Sequence, residues 1–268
     1  MQRFFRIDYK GQPRHVIERE GEWRLVDGDI FSGYRPGEAV SPNGHRLLAP
    51  VLPSKIVCVG LNYKDHAAEQ NKPLPAEPLI FIKPSTSVIG PEDAIRIPQG
   101  STNVHHEVEL AVVIGARGAR NVTPEQAMSS VFGYTIGNDI SERDFQKGDG
   151  QWTRAKGFDS FCPLGPWIET DLGGLGLDPS DLEISCTVDG EPRQKSRTSL
   201  LLFDIPRLIS HVSQVMTLLP GDVILTGTPS GVGPIRPGQR VECTIEGLGT
   251  LANPVAEAEA ISTAGGVA

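Results

Sequence analysis

The chain is poor in the features that mark several large functional classes. It carries four cysteines in 268 residues, Cys58, Cys162, Cys186 and Cys243, widely separated and without a Cys-x-x-Cys pair. That spacing argues against a disulfide framework or a paired-cysteine metal site and leaves reduced thiols in the core. No apolar run approaches the roughly 20 residues of a membrane-spanning helix, and Met1-Gln2-Arg3-Phe4-Phe5-Arg6 lacks a continuous apolar segment of the secretory type. Clustered positive charge is missing too. A net charge of -8, a pI near 5.3 and the absence of a Lys/Arg patch argue against nucleic acid as a partner. The glycine-rich stretch Thr226-Gly227-Thr228-Pro229-Ser230-Gly231-Val232-Gly233 has neither the Lys-Ser/Thr of a P-loop nor dinucleotide spacing. Repeats, low-complexity tracts and charge blocks are absent. A cytoplasmic enzyme acting on a small molecule, away from membranes, is the expectation that remains.

What is present divides the chain into an N-terminal β-rich module (1–50), a main unit (51–260) and a flexible C-terminal tail (261–268). In the first, Phe4 to Tyr9, Arg14 to Glu18 and Glu22 to Val26 alternate in hydrophobicity around a Lys10-Gly11 turn. The crossing Leu48-Ala49-Pro50-Val51-Leu52-Pro53 favours extended backbone. In the main unit, apolar runs predict strands at Lys55 to Gly60, Leu79 to Ile82, Val108 to Ile114, Val131 to Ile136, Glu183 to Val188, Val223 to Leu225 and Val241 to Ile245. Helices are fewer. Thr123-Pro124 and Asp204-Ile205-Pro206 each start one, the second with the apolar stripe Ile205, Leu208, Ile209, Val212 and Met216, and Asn62 to Glu69 suggests a turn or two. This pattern predicts a mixed α+β fold dominated by strands, not a doubly wound sheet.

The chemistry concentrates in carboxylates. In His105-His106-Glu107-Val108-Glu109-Leu110, alternate side chains of a strand share a face, so Glu107 and Glu109 project together and repel. A strand running into the interior needs a cation there, and a hard divalent ion with oxygen ligands is the natural candidate. Taken alone, Glu-x-Glu more often marks a solvated strand face. Asp139 in Gly137-Asn138-Asp139-Ile140, followed by Arg143, Gln146 and Lys156, is what lifts the pair above that reading.

Six separated segments then support a resemblance: Val59-Gly60-Leu61-Asn62-Tyr63-Lys64-Asp65-His66, Phe81-Ile82-Lys83-Pro84-Ser85, His105 to Glu109, Asn138 to Asp144, Ala155-Lys156-Gly157-Phe158-Asp159 and Leu225 to Gly233. In this order, from about residue 55 to 255, they resemble the fumarylacetoacetate hydrolase superfamily, in its smaller bacterial branch of acylpyruvases, oxaloacetate decarboxylases and 2-hydroxyhepta-2,4-diene-1,7-dioate isomerases. The fumarylacetoacetate hydrolase proper has a further upstream carboxylate ligand, which Gly60-Leu61-Asn62-Tyr63 does not offer. The resemblance implies a mixed β-sandwich roll, a homodimer, and Mg2+ or Mn2+ on Glu107, Glu109 and Asp139. It also implies Lys156 beside the metal, with Arg143, Gln146 and Thr228 on the substrate.

Three carboxylates leave part of an octahedral shell open, into which a 2-oxo acid can bring its carboxylate and keto oxygens. On a helix His66 and Glu69 share a face, so Glu69 can orient the imidazole toward a water; this resembles the family's Asp-His-x-x-Glu lid. His105 and His106 are expected to be structural neighbours of the metal rather than ligands. His15, His45 and His211 are ordinary, and Ser160 is a candidate to hold a metal-bound water. The leading expectation is carbon-carbon bond hydrolysis or oxaloacetate decarboxylation on 2-oxo or 2-hydroxy-dienoic acids. The alternatives are an isomerase or oxaloacetate tautomerase of aromatic catabolism and, at lower odds, a non-catalytic metal-binding module.

Overall fold

A computed structural model describes residues 2–71 and 73–258, so the expected tail 261–268 lies outside the described residues. The first four strands, Arg3–Tyr9, Gln12–Arg19, Glu22–Asp29 and Gly33–Val40, form an antiparallel meander. Its first two hairpin turns place Lys10-Gly11 and Glu20-Gly21 at positive φ, the backbone that matches the twist of paired strands. Alternation then sorts the side chains. Phe5, Ile7, Val16 and Leu25 build a small cluster of their own, while Phe4, Ile17 and Val26 turn to the larger core.

The meander continues into the main sheet, because Arg3 and Phe4 pair with Glu169 and Ile168 on the strand Cys162–Glu169. From there the sheet runs through Val131–Asn138, Val108–Ile114, Val223–Leu225 and Ile56–Gly60 to Leu79–Lys83 at its edge. A second sheet packs against it in the order Glu191–Arg197, Glu183–Val188, Arg240–Ile245, Gly249–Glu257, Ile95–Ile97. The result is the strand-dominated α+β architecture expected. Val108, Leu110, Val112 and Ile114 fill the space between the sheets with Ile184, Val241 and Ile245, and Ala111 and Val113 face Ile56, Cys58 and Val223 on the other side. Burial on both faces explains why this strand reads as a continuous apolar run. Each such Leu, Ile or Val contributes roughly 1.5–3 kcal/mol of transfer free energy.

Helix Ile205–Val215 forms as expected: Asp204 accepts the Arg207 N–H at 3.0 Å as its cap, and Ile205, Leu208, Ile209 and Val212 are buried. The Thr123-Pro124 start leads only to the short helix Pro124–Ala127 and a 3-10 turn. Strand Glu191–Arg197 went unpredicted for a physical reason, and Gly33–Val40, Cys162–Glu169 and Gly249–Glu257 were not predicted either. In the first only Gln194 and Thr198 beyond it are buried, so there is no apolar periodicity to read. All four cysteines are buried and free. Among the described residues no helix is long and apolar enough to cross a membrane.

Candidate metal centre and active site

Register brings the three carboxylates together. Val108 pairs with Asn138 across the sheet, the Asn138 Oδ1 accepts the Glu107 N–H at 2.9 Å, and the Asp139 N–H donates to the Glu107 carbonyl at 2.9 Å. The chain does not pass through Glu107 as one strand. Val104–His106 belongs to a separate three-stranded sheet with Ser141–Glu142 and Gly233–Pro234, and Glu107 sits at the break. Glu107 and Glu109 nevertheless converge with Asp139: all three are buried, and one carboxylate oxygen from each lies within 4.8 Å of the others.

Cations answer two of these acids. Lys156 Nζ donates to Glu107 Oε2 at 2.8 Å and to Asp139 Oδ2 at 2.6 Å. Arg143 Nη2 lies 2.5 Å from Glu107 Oε1. Lys83, fully buried, donates to Asp139 Oδ1 at 2.6 Å and to the Ile140 carbonyl at 3.1 Å. Burial by itself would raise the Glu107 carboxyl, but Lys156 and Arg143 outweigh it and hold the group well below the usual carboxylate range. Burial would likewise lower the Lys156 ammonium, yet Asp139 and Glu107 raise it above its ordinary value. Glu109 differs. Its hydrogen bond comes from the Gly227 N–H at 2.6 Å, and among the described residues no Lys or Arg reaches ion-pair distance of it. Burial, with the charges of Asp139 and Glu107 added, pushes its carboxyl well above the ordinary value.

The helix Lys64–Glu69 closes one side. His66 Nδ1 meets Glu69 Oε2 at 2.9 Å, as the i, i+3 spacing predicts, and Glu69 Oε1 accepts the Gly231 N–H at 2.9 Å. Asp65 accepts the Ser230 hydroxyl at 2.8 Å, so the helix is tied to the glycine-rich loop by two of its acids. On the opposite side, helix Arg143–Gly148 presents Arg143 and Gln146, joined by Arg143 Nη1 donating to Gln146 Oε1 at 2.8 Å. The buried Arg143 Nε has no hydrogen-bond partner among the described residues. His66, Glu107, Arg143, Gln146, Lys156 and Thr228 all line one narrow cavity of about 40 Å3.

Thr228, Ser160, His105 and His106 each have partners of their own. The Thr228 hydroxyl already donates to the Val108 carbonyl at 2.9 Å and accepts from Gln194 Nε2 at 2.7 Å, so its side chain has only acceptor capacity to spare. Ser160, at positive φ, accepts the Arg96 N–H at 2.8 Å and lines an outer groove with Asp159 and Phe158, not the carboxylate cavity. His105 meets Asn103 Oδ1 at 2.9 Å, and burial, reinforced by Arg143, lowers its pKa to about 4. His106 Nδ1 donates to Gln194 Oε1 at 3.0 Å. Neither histidine joins the carboxylate cluster.

Lys83 and Gln194 are among the residues that escaped sequence reasoning, as are Phe81, Trp152 and Gln70 of the cavity lining. Lys83 left a trace: a lysine closing the apolar strand Leu79–Lys83 is out of place unless an acid awaits it. Gln194 left none. It is fully buried, its Oε1 also accepts the Val108 N–H at 3.1 Å, and its Nε2 also donates to the Pro229 carbonyl at 2.8 Å. It thereby pins the second sheet to the strand and loop that carry the site.

The donor set fits a hard divalent cation: three converging carboxylate oxygens, one of them on a buried acid with no cation of its own. Known proteins of similar sequence and fold identify the family. Residues 55–256 match the family described as fumarylacetoacetate (FAA) hydrolase, C-terminal. The mitochondrial oxaloacetate tautomerase fahd2 of Xenopus laevis is 48% identical over 219 residues, covering 78% of this chain and 68% of that protein. The structure of a 2-hydroxyhepta-2,4-diene-1,7-dioate isomerase from Mycobacterium marinum superposes with a TM-score of 0.87 at 47% identity, covering 96% of this chain and 99% of that one. A fumarylpyruvate hydrolase from Pseudomonas aeruginosa, solved with Mn2+ and pyruvate, gives a TM-score of 0.72 at 34% identity over 81% of this chain and 94% of that one. Sequence, fold and a buried Glu-Glu-Asp triad thus lead to one conclusion, that this chain belongs to the fumarylacetoacetate hydrolase superfamily and is an enzyme of it.

Proposed function

We propose that the protein is a divalent-metal-dependent enzyme acting on 2-oxo or 2-hydroxy-dienoic acids, hydrolysing a carbon-carbon bond of an acylpyruvate-like substrate or decarboxylating oxaloacetate. The observation that carries this reading is Glu109, a buried acid facing two others and lacking the cation that each of them has. Bound by Glu107, Glu109 and Asp139, Mg2+ or Mn2+ supplies Lewis acidity toward a keto oxygen. The chain's own groups do the rest. When a bond to C3 breaks, electrons collect on the keto oxygen as an enolate, and the Lys156 ammonium stands beside Glu107 and Asp139 to stabilise that charge. Among the described residues Arg143 Nε and Gln146 Nε2 have no hydrogen-bond partner and are left to hold a substrate carboxylate. With His66 Nδ1–H given to Glu69, the neutral imidazole keeps Nε2 as a base for a proton on water.

Charge sharpens the substrate class. Three carboxylates meet three cations, Lys83, Lys156 and Arg143, so a divalent ion leaves a net double positive charge that a dianionic 2-oxo diacid neutralises. A second reading, tautomerase or isomerase, is favoured by the names of the relatives near 48% identity. It uses the same enolisation without hydrolytic water. The homodimer belongs to this reading as a family expectation.

The test is a panel of 2-oxo diacids and acylpyruvates with Mg2+ and Mn2+, following pyruvate release and loss of enol absorbance. Glu109→Ala is expected to lose turnover by about 10³-fold or more. Full turnover insensitive to EDTA in that variant sinks the proposal. His66→Ala separates the two readings: loss of cleavage with tautomerisation intact assigns His66 to the water, whereas a wild type that only tautomerises leaves the second reading standing.

A further inference from the structure

Beyond the carboxylate cavity lies a second space, a groove of about 480 Å3 walled by Ile80, Ile82, Pro84 and Met216. Phe81 and Trp152 line both. Their rings meet edge to face with centroids 5.2 Å apart, so together they form the partition between the small polar chamber and the larger, mostly apolar groove. The indole is seated against backbone: a Cβ at Gly60 would come within 2.8 Å of Trp152 Cζ3. Its own backbone is tied to the chemistry, since the Trp152 carbonyl accepts the Lys156 N–H at 3.0 Å. Lys156 Nζ in turn lies 5.0 Å from the Phe81 ring centroid. The segment around Trp152 is braced by a bidentate Arg154–Asp149 pair at 2.8 and 2.5 Å and by Arg154 stacked 3.9 Å from the Phe145 ring.

We propose that Trp152 is the specificity-determining end wall of the active site, closing the chamber behind a short 2-oxo acid and excluding acyl chains that reach into the apolar groove. This rests on the reading of the chamber as a 2-oxo acid site. The polar groups that would hold the carboxylate and keto end line the narrow chamber, and Phe81 and Trp152 stand between it and the groove. Removing the indole joins the chamber to a groove whose Ile80, Ile82 and Met216 suit such a chain. Trp152→Phe keeps an aromatic partner for Phe81 but shortens the wall.

The experiment measures kcat/KM with Mg2+ for oxaloacetate and for acylpyruvates of increasing acyl length, in the wild type, Trp152→Phe and Trp152→Ala. Calorimetric binding of the same acids to the Mg2+-loaded proteins gives a readout independent of turnover. The long-to-short preference is expected to rise at least tenfold in Trp152→Ala, mainly through KM, and to a smaller extent in Trp152→Phe. Thermal melts establish that both variants are folded. A preference within twofold of the wild type in both variants, by kinetics and by binding, overturns the end-wall role. A wild type that neither turns over nor binds any 2-oxo acid overturns the reading of the chamber itself, and the two failures are thereby distinct.

Discussion

Strand Val223–Leu225 has a buried acid near each end, and the two are treated oppositely. Before its first residue, Asp222 is fully buried with the Ser54 hydroxyl at 2.6 Å, the N–H groups of Leu219 at 2.7 Å and Lys55 at 3.2 Å, and the Lys55 ammonium all donating to its carboxylate. Past its last residue the chain turns to Gly227, whose N–H is the hydrogen bond that Glu109 receives. A structural acid is one whose desolvation is offset by groups the fold itself supplies. Glu109 has that one N–H and, among the described residues, no cation at ion-pair distance, and it is flanked by like charges, so its ionised form calls for a cation from outside.

The contrast can be broken most sharply by neutralising each acid. Glu109→Gln should lower metal-dependent turnover by about 10³-fold, as loss of one of three ligands implies, while thermal stability in EDTA holds or rises because like-charge repulsion is relieved. Asp222→Ala should do the reverse: denaturant titration should show a loss of about 3 kcal/mol, from Lys55 and two N–H groups left unanswered, with metal binding retained in the folded protein. A smaller effect is expected at Gln194, which also answers buried groups. Gln194→Ala strands His106, the Val108 N–H and the Pro229 carbonyl, at a cost of about 2 kcal/mol in the same titration.

The mildest test uses pH. Glu109 has a raised pKa and must be deprotonated to bind an ion, so metal affinity should weaken as pH falls through that raised value, by up to about tenfold per unit for one exchanged proton. Calorimetry at several pH values should show the slope, and Glu109→Gln should abolish it. A flat profile in the wild type would mean that Glu109 is ionised before the metal arrives.

The strands legible in the sequence are those buried on a regular face, such as Val108–Ile114 and Glu183–Val188, because period and β-branching record burial directly. Glu191–Arg197 is nearly all exposed and left no such record. Within the site, Glu107, Glu109 and Asp139 were legible because acids in apolar surroundings are conspicuous. Lys156 and the His66–Glu69 pair were reached through the order of motifs. The break in the chain at Glu107 could not be seen, since it depends on His105 and His106 pairing with Pro234 and Gly233 instead of with the main sheet.

By itself the sequence determined the strand-rich class, the conspicuous acids and the chemistry they could support, because local propensity, side-chain period and ligand hardness are carried by short segments. Tertiary structure alone decided which acid lacks a cation, that Lys83 and Gln194 belong to the site, and that Trp152 divides chamber from groove. Each of those depends on where residues distant in the chain come to rest against one another: Lys83 and Asp139 are 56 positions apart, and Gln194 and His106 are 88. Desolvation and pairing are properties of that arrangement, and no single segment contains them.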